Sequence, residues 1–414
     1  MRKSTITCDT EGIIQTFNQG AEEMFGYTAS EAVGKLRVSA FSPGEIVLQN
    51  LKSWLDTANE KGEWIGQTNF VRKNGEVFGA RIRISPTSKN GEQIGYCGVT
   101  EELEAPVHVP IKFTTKAIRW LVITRAPFLT AALTPVVIGL VWVAAIGGFA
   151  IPWTESLLAG LGVLLLHLSA NVFNDYFDVK SGTDGANTKY FVQYTGGSRA
   201  IEMGLIDLKR TKYVAVTLLL AALIIGLGLT AVVGTGVLYI GLAGLALGYF
   251  YTAPPLRLVA RHGLGELSIG LAFGPLITLG MAYVATGFYS WEAFLVGIPA
   301  GLLTTNILMI NQIPDAEGDA TTGKNHLVVT FGPTVAGWLY TGTWLSALAG
   351  ISWFALQWNK PLLHIATVVG LVYGIYTIVW MFKNLDKRTL VRSNVNTIYL
   401  QIAVTLLMAL FMAL

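Results

Sequence analysis

The sequence has very few cysteines, and this scarcity excludes two classes of structure. Only Cys8 and Cys97 occur among the 414 residues. Two cysteines are too few for a disulfide framework or for a metal site built from thiolates. We therefore expect both to be buried structural thiols.

The sequence also lacks a basic run and an apolar N-terminal segment. Without Lys and Arg clustered among aromatic residues, nucleic acid is not expected as a partner. The first residues, MRKSTITCDTEG, contain no signal-peptide core, so we expect the N-terminus to stay in the cytosol. Charge is also uneven, since residues 1–104 carry 11 Lys+Arg and 14 Asp+Glu, whereas the remaining residues carry 18 and 12 between long apolar stretches. This asymmetry predicts a soluble region followed by a membrane region.

The apolar stretches predict a bundle of transmembrane helices. A spanning helix needs about 20 mostly apolar residues. Nine stretches meet this requirement, at about 126–150, 153–174, 213–234, 236–253, 264–286, 292–312, 332–357, 361–382 and 395–414.

The flanking charges predict the orientation of this bundle, because Lys and Arg concentrate in cytoplasmic loops. With the N-terminus inside, 17 flanking Lys and Arg residues fall on the cytoplasmic side and only Lys360 falls on the other. An odd number of spans then places the C-terminus outside. We expect a multi-pass protein of the cell inner membrane with a cytoplasmic N-terminal domain.

The soluble region shows the pattern of a small sheet. Alternate residues from Phe78 to Ile84 are apolar, which predicts a half-buried strand. Asn74-Gly75 and Asn90-Gly91 are hairpin dipeptides between such strands. A sheet with a few short helices, of the α+β class, is therefore predicted for residues 1–104.

The order of residues in this region is more specific than its periodicity. It reads CDTEGIIQTFNQGAEEMFGYTASEAVGK and then NFVRKNGEVFGARIRISPTSKNGEQIGYCGV, which resembles a PAS sensory domain. The residues at that family's positions are Asp9, Gly12, Phe17, Asn18, Ala21, Phe25, Gly26, Tyr27, Glu31 and Gly34. The resemblance implies a fold that holds a ligand or mediates dimerisation, but identifies no ligand or partner. A sensor and a simple interaction module both remain open.

Residues 105–124 are predicted to connect the PAS-like domain to a membrane domain at 125–414. Pro106 and Pro110 indicate a short extended linker. The following segment, IKFTTKAIRWLVIT, combines Lys and Arg with Trp120 and apolar residues, as an interfacial helix does.

Two carboxylate clusters lie at membrane depth, where an ionised side chain is costly unless it is paired or metal-bound. The first is NDYFD at 174–178, followed by Asp184, and the second is NQIPDAEGD at 311–319. Helical spacing places the polar residues of each cluster on one face, although Pro314 is expected to kink or end the second helix. Asp and Asn oxygens suit Mg²⁺. The predicted metal ligands are Asn174, Asp175, Asp178, Asp184, Asn311, Asp315 and Asp319.

Two facing half-sites of this kind would hold a diphosphate between two Mg²⁺ ions. Basic side chains on the same face are expected to complete the site, and they include Lys180, Lys189, Arg199, Arg257 and Lys324. A single cluster is explained equally well by capped helix ends in solvated loops. Two clusters of like composition on one side favour a site.

At these motifs the sequence resembles the UbiA superfamily of intramembrane prenyltransferases, over about residues 115–414. The motifs are NDYFDVKSGTD, NQIPDAEGDATTGKNHLVVTFG, TGGSR and YTAPPLRLVARHGLGE. The resemblance implies a helical bundle around a cavity that opens to lipid, with Asp178, Asp315 and Lys324 as catalytic residues. It implies that Asn171, Lys180, Lys189, Arg199, Tyr251 and Arg257 bind substrate.

The long first motif, TGGSR and GLGE are similar to the branch that prenylates 1,4-dihydroxy-2-naphthoate for menaquinone. Pro314 departs from that branch, which commonly has Arg there. We therefore expect a Mg²⁺-dependent enzyme that moves a polyprenyl group from an allylic diphosphate to an aromatic acceptor in the bilayer. The alternatives are 4-hydroxybenzoate or a glycerol lipid as acceptor, or a PAS-regulated membrane sensor without catalysis. A transporter is a further rival, but clusters that lie toward one face disfavour it.

Overall fold

A computed structural model describes residues 3–187, 189–191 and 194–414. The chain forms two compact units, which we describe separately. The head unit comprises the chain up to Ile123 together with Arg199–Asp207. The membrane unit comprises Thr124–Ser198 and Leu208–Leu414.

The head unit contains a five-stranded antiparallel sheet. Its strands run in the spatial order β2-β1-β5-β4-β3. Asn90 and Gly91 join the two longest strands with positive φ angles of 55° and 83°, the conformation of a tight hairpin turn that Asn-Gly favours. The predicted hairpin is thus confirmed. The strands are β1 Lys3–Asp9, β2 Ile14–Phe17, β3 Trp64–Val71, β4 Val77–Lys89 and β5 Glu92–Glu102.

Three helices cover one side of this sheet, and aromatic rings fill the space between them. They are α1 Gln19–Phe25, α2 Ala29–Ala32 and α3 Gly44–Lys61. Phe25 stacks on Phe41 with ring centroids 4.6 Å apart, and its ring also meets Phe70 and Phe78 at 5.7 Å each. Alternate residues of β4 from Phe78 to Ile84 are buried, as predicted. The head therefore has its own apolar core.

The predicted interfacial helix is α4, Phe113–Thr124. Arg119 Nη1 donates to Glu45 Oε1 at 2.9 Å, and Thr115 Oγ1 donates to Gln49 Oε1 at 2.9 Å, so α4 is tied to α3. Phe113 is 84% exposed, and Trp120 and Leu121 are about half exposed. Large apolar side chains beside basic residues are what a helix at a lipid surface presents.

Among the described residues, the elements of regular secondary structure in the membrane unit are all helices. Its helices are α5 Thr130–Val141, α6 Trp153–Ser181, α7 Thr183–Ala186, α8 Leu208–Val233, α9 Gly236–Phe250, α10 Leu264–Leu271, α11 Ile277–Thr286, α12 Trp291–Val296, α13 Ile298–Thr321, α14 Leu327–Gln357, α15 Leu363–Lys383 and α16 Val391–Ala413.

Each of the nine predicted stretches coincides with helix, but a count of nine spans is not confirmed. Within the described residues, seven helices are long and apolar enough to cross a membrane: Ala126–Ile146, Trp153–Ser181, Leu208–Val233, Leu264–Thr286, Trp291–Thr321, Leu363–Lys383 and Arg388–Ala413. The fourth predicted stretch is the 15-residue α9, which is short for a span. The seventh is α14, whose first turns are separated from the rest by Gly332 at φ 82°.

Helix α13 is the centre of the membrane unit. In the membrane-crossing stretch Trp291–Thr321, which contains α13, 72% of an 18-residue apolar segment is buried inside the protein. The corresponding value for α8 is 6%. Pro314 neither ends nor interrupts this helix, which continues to Thr321. The second carboxylate cluster therefore sits on one continuous helix at the core of the unit.

Candidate active site

The C-terminal ends of α6 and α13 bring the two carboxylate clusters together at Lys324. Lys324 Nζ lies 3.0 Å from Asp178 Oδ2 and 3.7 Å from Asp319 Oδ2, so one ammonium group joins both motifs. Asn174 Nδ2 also donates to Asp178 Oδ2, at 3.0 Å. Burial lowers the pKa of Lys324, but the two carboxylates outweigh burial and hold it above its ordinary value. The lysine is therefore cationic.

His326 also contacts the second carboxylate cluster, although no role was predicted for it from the sequence. The residue is completely buried and caps the N-terminus of α14. Its Nδ1 accepts from Val329 N–H at 3.4 Å, which leaves the proton on Nε2 to donate to Asp319 Oδ2 at 3.1 Å. Asp319 is thus oriented by His326 as well as by Lys324.

The loop before the TGGSR arginine, residues 194–198, reaches the other two carboxylates through its backbone. We call these residues the site loop. Gly196 N–H donates to Asp315 Oδ2 at 2.9 Å, and Ser198 N–H donates to Asp175 Oδ1 at 3.1 Å. A Cβ at Gly197 would lie 2.9 Å from Asp175 Oδ1, so glycine permits this approach. The TGGSR segment brings main-chain donors to both motifs.

Asn187 completes the contact to Asp315. Its Nδ2 donates to Asp315 Oδ1 at 2.7 Å. A Cβ at Gly318 would lie 2.7 Å from the Cα of Asn187, so this glycine lets the chain after α7 lie against α13. Neither Asn187 nor Gly318 was singled out from the sequence, although Gly318 lies within the second motif.

Several predicted site residues lie elsewhere. Lys180 is exposed, with its Nζ 5.9 Å from the Tyr176 ring centroid. Lys189 pairs with Glu317 on the surface. Arg199 belongs to the head unit, where its Nη1 lies 3.1 Å from Glu202 Oε2.

Of two further predicted residues, one lies near the carboxylates and the other lies in the turn after α9. Asp184 Oδ1 would lie 3.6 Å from a Cβ at Gly197, beside Asp175. Arg257 lies in the turn after α9 with a left-handed φ of 43°. The carboxylates thus converge as expected, whereas the basic residues do so only in part.

A cavity of about 340 Å³ opens from the polar cluster into the membrane unit. Its walls are mostly Ala, Gly, Leu, Ile and Val side chains. The lining also includes polar side chains, among them Arg125, Asn171, Asn174, Tyr251 and Asn311. The Tyr251 phenol can donate a hydrogen bond to a ligand in this cavity.

The donor set fits a hard divalent cation. Among the described residues, no group of three or more His, Cys, Asp or Glu side chains is arranged to hold a metal ion. However, oxygens from both motifs face one cation, the ammonium of Lys324, and the surrounding donors are carboxylate and amide oxygens. This chemistry is suitable for Mg²⁺.

Comparison with known proteins identifies the family. The profile of the UbiA prenyltransferase family matches residues 110–411, which is most of the chain. The chain belongs to the UbiA prenyltransferase family. A PAS domain profile matches residues 2–102, so the UbiA domain carries an N-terminal PAS domain. The protein is therefore a multi-pass membrane protein of a prenyltransferase family.

Two relatives of this UbiA protein act on a naphthoate. One is the 1,4-dihydroxy-2-naphthoate octaprenyltransferase of Bacillus subtilis, 29% identical over 51% of this chain and 65% of the relative, slightly less than two thirds. The enzyme of the same name from Mycobacterium tuberculosis is 29% identical over 61% of this chain and 82% of the relative.

A solved structure shows the same fold. The UbiA homolog from Archaeoglobus fulgidus bound to GPP and Mg²⁺ aligns with a TM-score of 0.51 at 15% identity, over 70% of this chain and 99% of that one. This likeness supports the helical UbiA architecture of the membrane unit. At such low identity it carries no conclusion about substrate.

Proposed function

We propose that this protein is a Mg²⁺-dependent polyprenyltransferase that prenylates 1,4-dihydroxy-2-naphthoate for menaquinone biosynthesis. The observation that carries the proposal is the apolar cavity that meets Asn174 and Asn311 of the two motifs. A prenyl diphosphate likewise has an apolar part, its tail, and a highly charged part, its diphosphate head. The cavity therefore suits this donor in polarity.

In this proposal the polar end holds the diphosphate. Asp178, Asp315 and Asp319, with the amide oxygen of Asn174, would hold Mg²⁺, which supplies positive charge against the leaving diphosphate. Lys324 contributes a permanent cation between the motifs. These groups stabilise the charge that develops when the allylic C–O bond breaks and its electron pair moves to the diphosphate.

The apolar walls serve the second half of the reaction. They exclude water from the allylic cation, so an electron-rich ring carbon is the available nucleophile. That carbon forms the new C–C bond, and the ring regains aromaticity by releasing the proton or carboxyl group that the carbon carried.

The choice of a naphthoate rests on the named relatives, and Arg125 offers a partner for the carboxylate of an aromatic acceptor. Arg125 is the one arginine among the described residues that line the cavity, and its backbone adopts φ 53°. A guanidinium group binds a carboxylate well because its donors match the two oxygens. A fused ring also buries more apolar area than a single ring, at roughly 25 cal/mol per Å².

Competition between acceptors tests the proposal. Membranes that contain the protein, one labelled prenyl diphosphate and Mg²⁺ are incubated with equal concentrations of 1,4-dihydroxy-2-naphthoate and 4-hydroxybenzoate. We expect the naphthoate product to dominate. A preference for 4-hydroxybenzoate or a glycerol lipid would overturn the acceptor, and absence of any diphosphate release would overturn prenyl transfer.

A further inference from the structure

Pro314 leaves one backbone carbonyl of α13 without its helical donor, and a residue on α16 donates to that carbonyl. Proline has no backbone N–H, so it cannot donate to the carbonyl four residues earlier in a helix. In α13 that carbonyl belongs to Ile310. A buried carbonyl without a donor is costly, and a donor must come from elsewhere.

Asn394 of α16 supplies it. Its side chain is completely buried, and its Nδ2 donates to Ile310 O at 3.2 Å. The same Nδ2 donates to Asn311 Oδ1 at 2.8 Å. Both hydrogens of this amide are therefore used, and both acceptors are oxygens, which fixes which end of the Asn394 amide faces α13.

This arrangement orients Asn311, which lines the cavity. Because the Oδ1 of Asn311 accepts from Asn394, its Nδ2 is the atom available to donate to a ligand in the cavity. An amide N–H donates to an anion and cannot ligate a cation. Asn311 is thereby set to bind a diphosphate oxygen rather than Mg²⁺.

We infer that Asn394 is a positioning residue for prenyl diphosphate binding, because it uses the carbonyl freed by Pro314 to hold Asn311 with its amide N–H toward the cavity. The inference rests on the proposed function for the identity of the ligand. The hydrogen bonds themselves do not depend on it.

A double-substitution cycle tests the arrangement. Asn394→Ala is made in the native protein and in Pro314→Ala, where Ile310 O regains a helical donor. We expect Asn394→Ala to raise KM for the prenyl diphosphate about threefold to tenfold in both backgrounds, with KM for the acceptor changed by less than about twofold. The unfolding temperature should fall less in the Pro314→Ala background.

Gln401 offers a matched control on the same helix. Like Asn394 it is completely buried, and its Nε2 donates to Thr134 Oγ1 at 2.8 Å. Gln401→Ala should lower the unfolding temperature without changing KM for the prenyl diphosphate. An equal rise in KM would show general loosening of the helix and would overturn the inference.

Two other results would also overturn it. One is an unchanged KM in Asn394→Ala while the native protein transfers prenyl groups. The other is an equal loss of thermal stability in both backgrounds, because Asn394 would then not be the donor to Ile310. If the native protein transfers no prenyl group, the proposed function fails, but the stability cycle still decides the hydrogen bond.

Discussion

The head unit and the membrane unit bury different chemistry. The interior of the head is a cluster of apolar side chains dominated by phenylalanine rings. Among the described residues, the buried carboxyl groups are those of Asp175, Asp178, Glu266 and Asp319, all in the membrane unit. Burying a charged group is unfavourable unless partners compensate it.

The difference indicates which unit is organised for stability and which for chemistry. The head largely follows the ordinary rules of a folded domain, with side-chain caps on α1 and α2 and an alternating strand β4, although it also buries Arg37. The membrane unit breaks those rules where its two motifs meet and compensates with Lys324, His326 and the backbone of the site loop. Catalysis is therefore expected to depend on the membrane unit alone.

Removal of a motif carboxylate should have the largest effect. We expect Asp178→Ala, and separately Asp315→Ala, to lower prenyl transfer by about 100-fold or more, since each removes a carboxylate that would hold Mg²⁺ against the leaving diphosphate. Product formation by membranes with normal amounts of inserted protein is the measurement. Asp386→Ala, which changes an exposed carboxylate between α15 and α16, is the control. Near-native rates in both motif variants would contradict a catalytic role for the clusters.

Substitution of His326 should have a smaller and more selective effect. His326→Ser keeps an N-cap oxygen for Val329 but loses the contact with Asp319. We expect the Mg²⁺ concentration for half-maximal rate, and the Kd for Mn²⁺ measured by paramagnetic resonance, to rise about threefold to tenfold. His326→Ala removes the cap as well and should also cost about 1 kcal/mol of stability. Equal metal affinity in the native and Ser proteins would limit His326 to capping.

Much of the fold follows from local pattern in the sequence. The alternation around β4, the Asn90-Gly91 turn and the positions of the long apolar helices are properties of neighbouring residues, and they are confirmed. Pro314 is an instructive exception. Its local preference predicts a kink or an end, but α13 continues to Thr321, and Asn394 donates to the Ile310 carbonyl that Pro314 leaves without a helical donor.

The candidate site was less predictable because its supports come from distant segments. Asn394 lies 83 residues from Asn311, and no pattern in the sequence links them. His326 had a usable signal, since it lies seven residues after Asp319 and directly before an apolar helix, as an N-cap does. For Lys180 and Lys189 the sequence indicated a position but not a direction, because loop position alone does not tell which way a long side chain points.

Removal of the head should affect activity only modestly. A chain that starts at Ile111 keeps α4 and the whole membrane unit, so we expect insertion and a basal rate within about threefold of the native rate. Some change is expected because Arg199–Asp207 packs within the head unit and directly follows the site loop in the chain. For example, a Cβ at Gly44 of α3 would lie 2.2 Å from Met203 O. Complete loss of turnover in a well-inserted truncation would show that the head contributes to the site.

Modification of the head's thiols should have the smallest effect, and it tests whether the head is a closed, packed domain. Burial raises the pKa of the Cys8 thiol to about 11, so at pH 8 it is almost entirely protonated and hence unreactive. Cys97, on the adjacent strand β5, is only partly buried. With iodoacetamide at pH 8, mass spectrometry should find Cys97 alkylated first and Cys8 only after unfolding, while prenyl transfer is unchanged. Equally fast alkylation of Cys8 in the folded protein would show that the head opens readily. The contrast between a closed, packed head and a chemically active membrane unit would then no longer hold.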